Sequence, residues 1–323
     1  MHMAELPHIL YFNQTSVNNR IISLLKDPGH IYIGVVYRFL NLFAKQLSDK
    51  AYIEWKWFVT FGRRINLDNP HTFNEKLQWL KLYNRIPDYT RLVDKYEVKK
   101  HVAALIGEQY VTPTLAVYEH AEDINFDALP NQFVLKTTHD SGGIVICTDK
   151  SKLNKEKAIK TLDKALKTDF YAYTREWPYK DVPRRIIAEQ YIPTPDGDLR
   201  DYKFFCFDGV PKVMFVAADR FTPGEETTFD FFDMDFNHID VRNGHLNSTK
   251  TILKPTGFER MKELAAKLSA GFPHVRVDFY DINGKIYFGE LTFFHFSGFV
   301  KFKPHDLDIQ MGRYLALPLE KHI

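Results

Sequence analysis

In "HVRVDFYDINGKIYFGELTFFHFSGF" (274–299), Arg276, Asp278 and Glu290 stand inside two apolar runs on either side of Asn283-Gly284. Acids are depleted in strands, and two carboxylates brought together there carry a cost. Unit charges ~4 Å apart repel by about 4 kcal/mol at an effective dielectric near 20. Such a pair needs a proton or a cation between its members. Magnesium suits it, because it takes a few carboxylate oxygens and completes its shell with phosphates and water. Without metal the two should repel, so neutralising Asp278 should leave stability unchanged or slightly raised.

Register decides whether the pair can form. With Asn283-Gly284 as a two-residue turn, Asp278 lies opposite Gly289 and Glu290 points to the other face. A three-residue loop, Ile282-Asn283-Gly284, with Gly284 left-handed in a G1 bulge, instead pairs Arg276 with Glu290, while Asp278 and Thr292 share their face. Asn-Gly favours the shorter turn. Joint action of the carboxylates requires the longer one, which is the expectation for a functional hairpin. The plainer alternative is a surface hairpin stitched by an Arg276–Glu290 salt bridge.

Other charged residues also stand in strand-like runs. Lys136 ends "FVLK" just before Ser141-Gly142-Gly143, a turn whose amides can hold phosphate oxygens. Glu189 sits in "IIAEQYI", where the flanking backbone can hydrogen-bond an adenine. Asp201 and Lys203 alternate on one face of the next strand, an acid for ribose and a base for phosphate. His139 and His295 are candidate bases, His295 between aromatics being the more structural. Asp233-Met234-Asp235 has the Asp-x-Asp form that can hold a metal on a nucleotide sugar. Taken singly, each of these features has a simpler structural explanation; their order along the chain is the signal.

The elements that must position these groups change character along the chain. The first 90 residues read as helical, with Thr72 and Glu75 forming a capping box ahead of "FNEKLQWLKLY". Residues 94–107 read as another helix stopped by Gly107. Strand periodicity follows in "QFVLKTTH" and "GGIVICTD", then a lysine-rich helix over about 154–168, and the strand "RRIIAEQYI". Two antiparallel strands surround Asp208-Gly209, an irregular segment spans 220–253, and "FERMKELAAKLSAGF" is a helix before the last hairpin. Strand runs followed by helices imply an α+β fold of two lobes. The expected organisation is a mainly helical region over 1–92, a first lobe over 93–188 and a second over 189–323.

At 323 residues the chain is long for one core. Its 43 basic and 41 acidic residues balance to +2, which gives no field for steering to nucleic acid. Cys147 and Cys206 lie in apolar runs as buried, reduced thiols, as expected of a cytoplasmic protein. The stretch 31–47 is interrupted by Arg38 and Lys45 and is too short to span a bilayer. It reads as a buried helix, with peripheral contact to a membrane surface as the alternative.

The succession of lysine helix, lysine strand with glycine turn, glutamate hinge strand, acid–base strand, and then Arg-x-Asp with Glu-x-Thr resembles the ATP-grasp superfamily. It is closer still to the TupA-like branch, linked to teichuronopeptide and other surface-polysaccharide pathways. The resemblance runs from about Leu47 to Pro318, through "NPHTFNEKLQWLKLY", "DKYEVKKHV", "FVLKTTHDSGG", "REWPYKDVPRRIIAEQYI", "DYKFFCFDG" and "RVDFYDINGKIYFGELTF".

That resemblance implies ATP sandwiched between antiparallel sheets of two α+β lobes. Lys95 and Lys136 would reach the phosphates, under a flap formed by Ser141, Gly142 and Gly143. Glu189, Gln190, Tyr191 and Ile192 would form the adenine hinge, and Asp201 would bind ribose. Lys203 with Arg220 would lie near the phosphates, Asp278 and Glu290 would hold magnesium, and Arg276 would stabilise an oxyanion. The implied activity joins a small-molecule or glycan carboxylate to an amine through an acyl phosphate. Its competitors are a sugar kinase using the same site and a glycosyltransferase using Asp233 and Asp235. Two features depart from the pattern: the usual Glu-x-Asn is here Glu290-Leu291-Thr292, and His295-Phe296 stands where smaller residues or proline are usual.

Overall fold

Asp278, the most deeply buried of the charged strand residues, owes its place to two sheets and the helices that back them. The structure, a computed structural model, describes residues 42–194, 197–220, 222 and 224–322. Most of the apolar stretch 31–47 lies outside them. The chain divides into two units, 1–65 and 66–323. The described part of the first contains helix α1 (Asp49–Phe61), capped by the Ser48 hydroxyl and stopped by Gly62 at φ 72°.

The second unit opens with α2 (Phe73–Tyr83), whose capping box forms as expected. Thr72 accepts the Glu75 N–H, and the Glu75 carboxylate accepts the Thr72 N–H, an exchange worth on the order of 1 kcal/mol. Next comes α3 (Asp88–Val93). The helix expected over 94–107 starts later, as α4 (Val98–Ile106), and ends at Gly107. The cause is Asp94: its carboxylate takes up the Tyr96 and Glu97 N–H groups and pairs with Arg185, which turns the chain before the helix can begin.

A four-stranded antiparallel sheet has the order β1-β4-β2-β3, from β1 (Thr114–Tyr118), β2 (Phe133–Thr137), β3 (Ile144–Cys147) and β4 (Ile186–Gln190). Alternation sets its two faces. Phe133, Leu135, Ile186 and Ala188 pack beneath Ala158 and Leu162 of α5 (Lys155–Leu166), while Lys136 and Glu189 fall on the opposite face. A short helix, α6 (Phe170–Thr174), leads towards β4.

A six-stranded antiparallel sheet follows, in the order β11-β10-β5-β6-β7-β8. Its strands are β5 (Asp201–Phe207), β6 (Val210–Ala218), β7 (Thr228–Phe232), β8 (His238–Ile239), β10 (Val275–Ile282) and β11 (Lys285–Thr292). The segment 220–253, expected to be irregular, supplies β7, β8 and β9 (Arg242–Asn243), the last pairing with β12 (Phe302–Lys303). Phe204, Cys206, Val275, Val277 and Phe279 form one face, buried against α7 (Phe258–Ser269), with Phe204 6.0 Å from Phe258 and 6.1 Å from Phe279. The other face carries Asp201, Lys203, Arg276, Asp278 and Glu290. The last helix, α8 (Asp306–Tyr314), returns to α2, where the Asp308 carboxylate accepts the Asn74 N–H at 2.9 Å.

The register of the last hairpin corrects the expectation of a three-residue loop. Ile282 pairs with Lys285, so Asn283-Gly284 is a two-residue turn, both residues having positive φ (52° and 88°) as the I′ type requires. No type I turn with a G1 bulge forms. A β-bulge further along does the work instead: Phe279 pairs with Phe288, then Asp278 with Glu290, leaving Gly289 as the extra residue. A Cβ on Gly289 would stand 3.1 Å from the Asp278 carbonyl oxygen.

His274, just before β10, is enclosed by Phe73 and Phe207, each 4.9 Å away, and its Nδ1–H donates to the Cys206 carbonyl at 2.9 Å. Burial drives its pKa down from 6.5 to about 3. The folded state therefore keeps His274 neutral, and stability is full above the unfolded pKa and falls as pH drops below it. Between pH 6.5 and 5 this group should cost about 2 kcal/mol of stability. Urea unfolding at pH 7 and at pH 5 should show that loss reduced by about that amount in His274→Gln. An equal acid loss in variant and wild type would refute it.

Candidate active site

The bulge at Gly289 turns Glu290 onto the face of Asp278, and the neighbouring strand sets Lys203 directly opposite Asp278. The three charged groups thus run across β5, β10 and β11. Asp278 is fully buried, whereas the Glu290 side chain is 38% exposed. Arg276 lies between them, buried with its guanidinium 5.7 Å from the Phe215 ring centroid. Its Nε donates to Asp278 Oδ1 at 2.7 Å, and Nη2 reaches Asp278 Oδ2 at 2.7 Å and both Glu290 Oε1 and Thr292 Oγ1 at 3.0 Å. Lys203 Nζ also donates to Asp278 Oδ2.

This is neither a solvated salt-bridged hairpin nor a bare pair of repelling acids. Arg276 faces Thr292 across the ladder and reaches Glu290 diagonally, and the two cations supply the countercharge that burial demands. Neutralising Asp278 would leave Arg276 and Lys203 short of an anion, so the expectation of unchanged or raised stability does not hold for this geometry. Burial lifts the Asp278 carboxyl. Burial acts the same way on Glu290, but Lys203, Arg276 and Lys95 outweigh it and hold that carboxyl down to about 2.

Lys203 also lies 3.6 Å from Asp201, which Arg220 engages directly. Burial would raise the Asp201 carboxyl, but Arg220 and Lys203 prevail and lower it. Lys203 and Arg220 are therefore the two cations of one acid cluster.

The four-stranded sheet contributes a second cluster. Glu189 is buried, with Oε1 2.5 Å from Lys99 and Oε2 2.6 Å from Lys136. Its carboxyl, pushed up by burial, is held down to about 2 by Lys136 and Lys99. Lys99 spends its other protons on the Thr112 carbonyl (2.9 Å) and the Thr114 hydroxyl (2.7 Å). Lys136 has no such anchors among the described residues and faces a pocket lined by Lys95, Lys99, Val111, Thr112, Glu189, Tyr280, Phe288 and Gly289. Lys136 of the first sheet, Lys95 just before α4, Lys99 in its first turn and the bulge of the last hairpin thus meet at one cavity.

Lys95 Nζ donates to the Asp140 carbonyl, at the foot of the expected flap. Asp140 braces that turn by accepting from the Thr137 hydroxyl and from the Gly143 N–H at 3.3 Å. Ser141 and Gly142 are exposed at its tip. Gly143 is packed so closely that a Cβ would stand 2.0 Å from the Thr137 hydroxyl oxygen. Of the expected hinge, Glu189 and Gln190 lie in β4, between β1 and β2. The Glu189 side chain is committed to lysines, and the Gln190 N–H donates to the Pro113 carbonyl at 3.1 Å. Tyr191 and Ile192 follow beyond the strand, half-buried.

Four contributors were not singled out from the sequence. Lys99 lies on an amphipathic helix, where a lysine is unremarked; Thr112 and Thr114 border β1, a strand too short to stand out. Gly289 was legible as a strand glycine, a common mark of a bulge. Asp233 is brought to none of these groups. Its oxygens accept the Asp235 and Asn237 N–H groups (2.9 and 2.8 Å) and the Asn237 side chain (2.9 Å), so it builds a turn.

Among the described residues no group of three or more His, Cys, Asp or Glu could hold a metal ion. Asp278 and Glu290 nonetheless fit magnesium, which binds through one or two carboxylates together with substrate phosphates and water. The more exposed Glu290 is the side from which an ion brought with phosphates would be met. No helix among the described residues is long and apolar enough to cross a membrane.

Residues 75–316 match the family described as TupA-like ATP-grasp. No curated protein sequence matches the chain significantly. Among solved structures, D-alanine–D-alanine ligase from Helicobacter pylori is 14% identical, with 77% of this chain and 67% of that one covered and a TM-score of 0.42. L-amino acid ligase from Bacillus licheniformis is 15% identical, with coverages of 78% and 55% and a TM-score of 0.42. D-alanine–D-alanine ligase from Bacillus anthracis complexed with ATP is 18% identical, with coverages of 69% and 66% and a TM-score of 0.37. This chain thus spans from 55% to 67% of their lengths.

Glu189→Ala leaves the Lys99 ammonium buried without its anion and should cost about 3–5 kcal/mol in urea unfolding. Lys136→Ala leaves Glu189 paired with Lys99 and should cost far less, while weakening ATP binding by calorimetry. Equal destabilisation by the two substitutions would overturn the division of labour between the lysines.

Proposed function

We propose, from the premise that this chain belongs to the TupA-like ATP-grasp family, that it is an ATP- and magnesium-dependent carboxylate–amine ligase. Its substrates on this reading are a uronic acid of a surface-polysaccharide precursor and an amino acid or other amine. The observation that carries the ligase reading is the meeting of Lys95 and Lys136 at one pocket with Tyr280, Phe288 and Gly289 of the hairpin that carries Asp278 and Glu290.

Positioned charge of this kind serves phosphoryl transfer, where the protein contributes placement and neutralisation rather than a covalent partner. The two cysteines are buried, and burial pushes the Cys206 thiol up to about 12, away from nucleophilic use. In the first step a carboxylate oxygen of the acid bonds to the γ-phosphorus of ATP as the bond to the β,γ-bridging oxygen breaks, releasing ADP. The amine nitrogen then bonds to the acyl carbon. Phosphate leaves with the electron pair of the carbon–oxygen bond, and the nitrogen gives up a proton.

Lys136 and Lys95 would neutralise the phosphates. Arg276 retains one Nη1 proton for which the described residues offer no acceptor, a donor suited to developing negative charge on an acyl or phosphoryl oxygen. Asp278 and Glu290 would hold magnesium, which supplies further neutralisation of the phosphate oxygens. A sugar hydroxyl in place of the carboxylate would make the same site a kinase.

Incubation with ATP/Mg, glucuronic acid and an amino-acid mixture should yield ADP, free phosphate and an amide in equal amounts, read by phosphorus NMR and mass spectrometry. A phosphorylated sugar would replace the ligase with the kinase. Stabilisation by UDP-sugars but not by ATP/Mg in thermal shift would remove the nucleotide assignment altogether.

A further inference from the structure

His295 lies outside the pocket and beyond the hairpin, yet among the described residues it is the one that bonds to Arg276 on the side away from the carboxylates. Its ring is buried, with Nδ1 2.7 Å from Arg276 Nη1 and Nε2 2.8 Å from Asn243 Oδ1. We propose that His295 is a positioning residue that orients the Arg276 guanidinium, with Asn243 and the Val300 carbonyl fixing its tautomer. The role of Arg276 as an oxyanion donor rests on the ligase reading; the positioning itself does not.

The direction of every hydrogen bond in this chain follows from its far end. The Val300 carbonyl can only accept, so Asn243 turns its amide nitrogen towards it, at 3.2 Å, and presents Oδ1 to His295. Oδ1 can only accept, so His295 carries its proton on Nε2 and leaves Nδ1 with a lone pair. That lone pair faces Arg276, which has nothing but donors. Reversal at any link would set donor against donor or acceptor against acceptor.

Asn243 is itself held in β9, paired with Phe302 of β12. Aromatic rings pin the imidazole: Phe205 stands edge-on at 4.9 Å, Phe296 at 4.5 Å and Phe215 at 5.4 Å. A protonated His295 would press a second cation against the guanidinium. Burial and Arg276 together keep the ring neutral, its pKa well below the usual value.

The consequence falls on Arg276. With Nε and Nη2 committed to Asp278, Glu290 and Thr292, the planar fork is held along one edge, and the freedom left to it is a tilt about that edge that swings Nη1. His295 takes one Nη1 proton and thereby fixes where the other points. A guanidinium held only on its carboxylate side would still bind Asp278 but could tilt, and misplacing a donor costs catalysis far more than binding. Outer partners of this kind are worth about 10–100-fold in function where they have been removed from metal sites.

The test separates this role from simple packing. Asn at 295 can place a carbonyl oxygen where Nδ1 stands, keeping the acceptor for Arg276. Gln can place its amide where Nε2 stands, keeping the contact with Asn243 instead. On the full chain, NMR of the Arg276 side chain should show slow Nη rotation in wild type and in His295→Asn, and fast rotation in His295→Gln. ATP turnover with magnesium should stay within about 3-fold of wild type for Asn and fall about 10-fold or more for Gln, with ATP affinity by calorimetry unchanged in both.

Equal behaviour of the two variants in the NMR measurement would overturn the proposal. So would retention by Gln with loss in Asn, which marks the Asn243 contact as the one that matters. If wild type binds no ATP/Mg, the ligase reading fails, and the NMR comparison alone still decides the positioning role.

Discussion

A carboxylate with no exposure to water is the constraint around which this protein is organised. Burying the Asp278 anion alone would cost many kcal/mol. It survives because Arg276 grips both its oxygens and Lys203 reaches one of them from the next strand. Each of those cations needs an apolar setting of its own to be held in place. That explains a charged cluster embedded in a sheet otherwise built from phenylalanine: Phe205, Phe215 and Phe231 on the same face, with Phe204 and Phe279 on the face against α7. Removing either cation strands an anion, so the cluster stands or falls together.

A second buried carboxylate repeats the solution in the other sheet. Glu189 is neutralised by Lys99, whose protons are all spent within the protein, and by Lys136, whose protons are not. One lysine is structural and the other is available. The same division holds in the hairpin, where Asp278 is buried and gripped by Arg276 and Lys203 while Glu290 keeps part of its side chain in solvent. Both clusters therefore have a fixed inner half and a usable outer half, and the cavity that Lys136 faces is also lined by Gly289, the residue before Glu290. Such an arrangement suits a polyphosphate carrying its own magnesium, since it needs no three-acid cage preformed in the protein.

Much of this was legible from residue types and their order. The capping box at Thr72, the helix following the glycine turn, and the strands around Asp208-Gly209 all follow from local rules that tertiary packing does not disturb. The hairpin shows where local rules run short. Asn283-Gly284 did form the two-residue turn that its propensity favours, and the carboxylates still reached one face. The compensation came at Gly289, inside β11 and away from the turn, where a single unpaired residue restores the phase of the strand. Lys99 and β7 stayed hidden for a different reason. A lysine on an exposed-looking helix and a short aromatic strand gain meaning only from the sheet that forms beside them.

On the proposed reading, Asp278 and Glu290 form a site for a divalent ion that arrives with nucleotide, rather than only a buried ion network. Manganese binding followed by electron paramagnetic resonance, with and without ADP, tests it most directly. Glu290→Gln is the informative variant, since the amide oxygen can still accept from Arg276 while the charge is lost. Wild type should bind manganese weakly alone and at least about 10-fold more tightly with ADP, and Glu290→Gln should lose most of that gain. The same ADP-dependent gain in wild type and variant would contradict it.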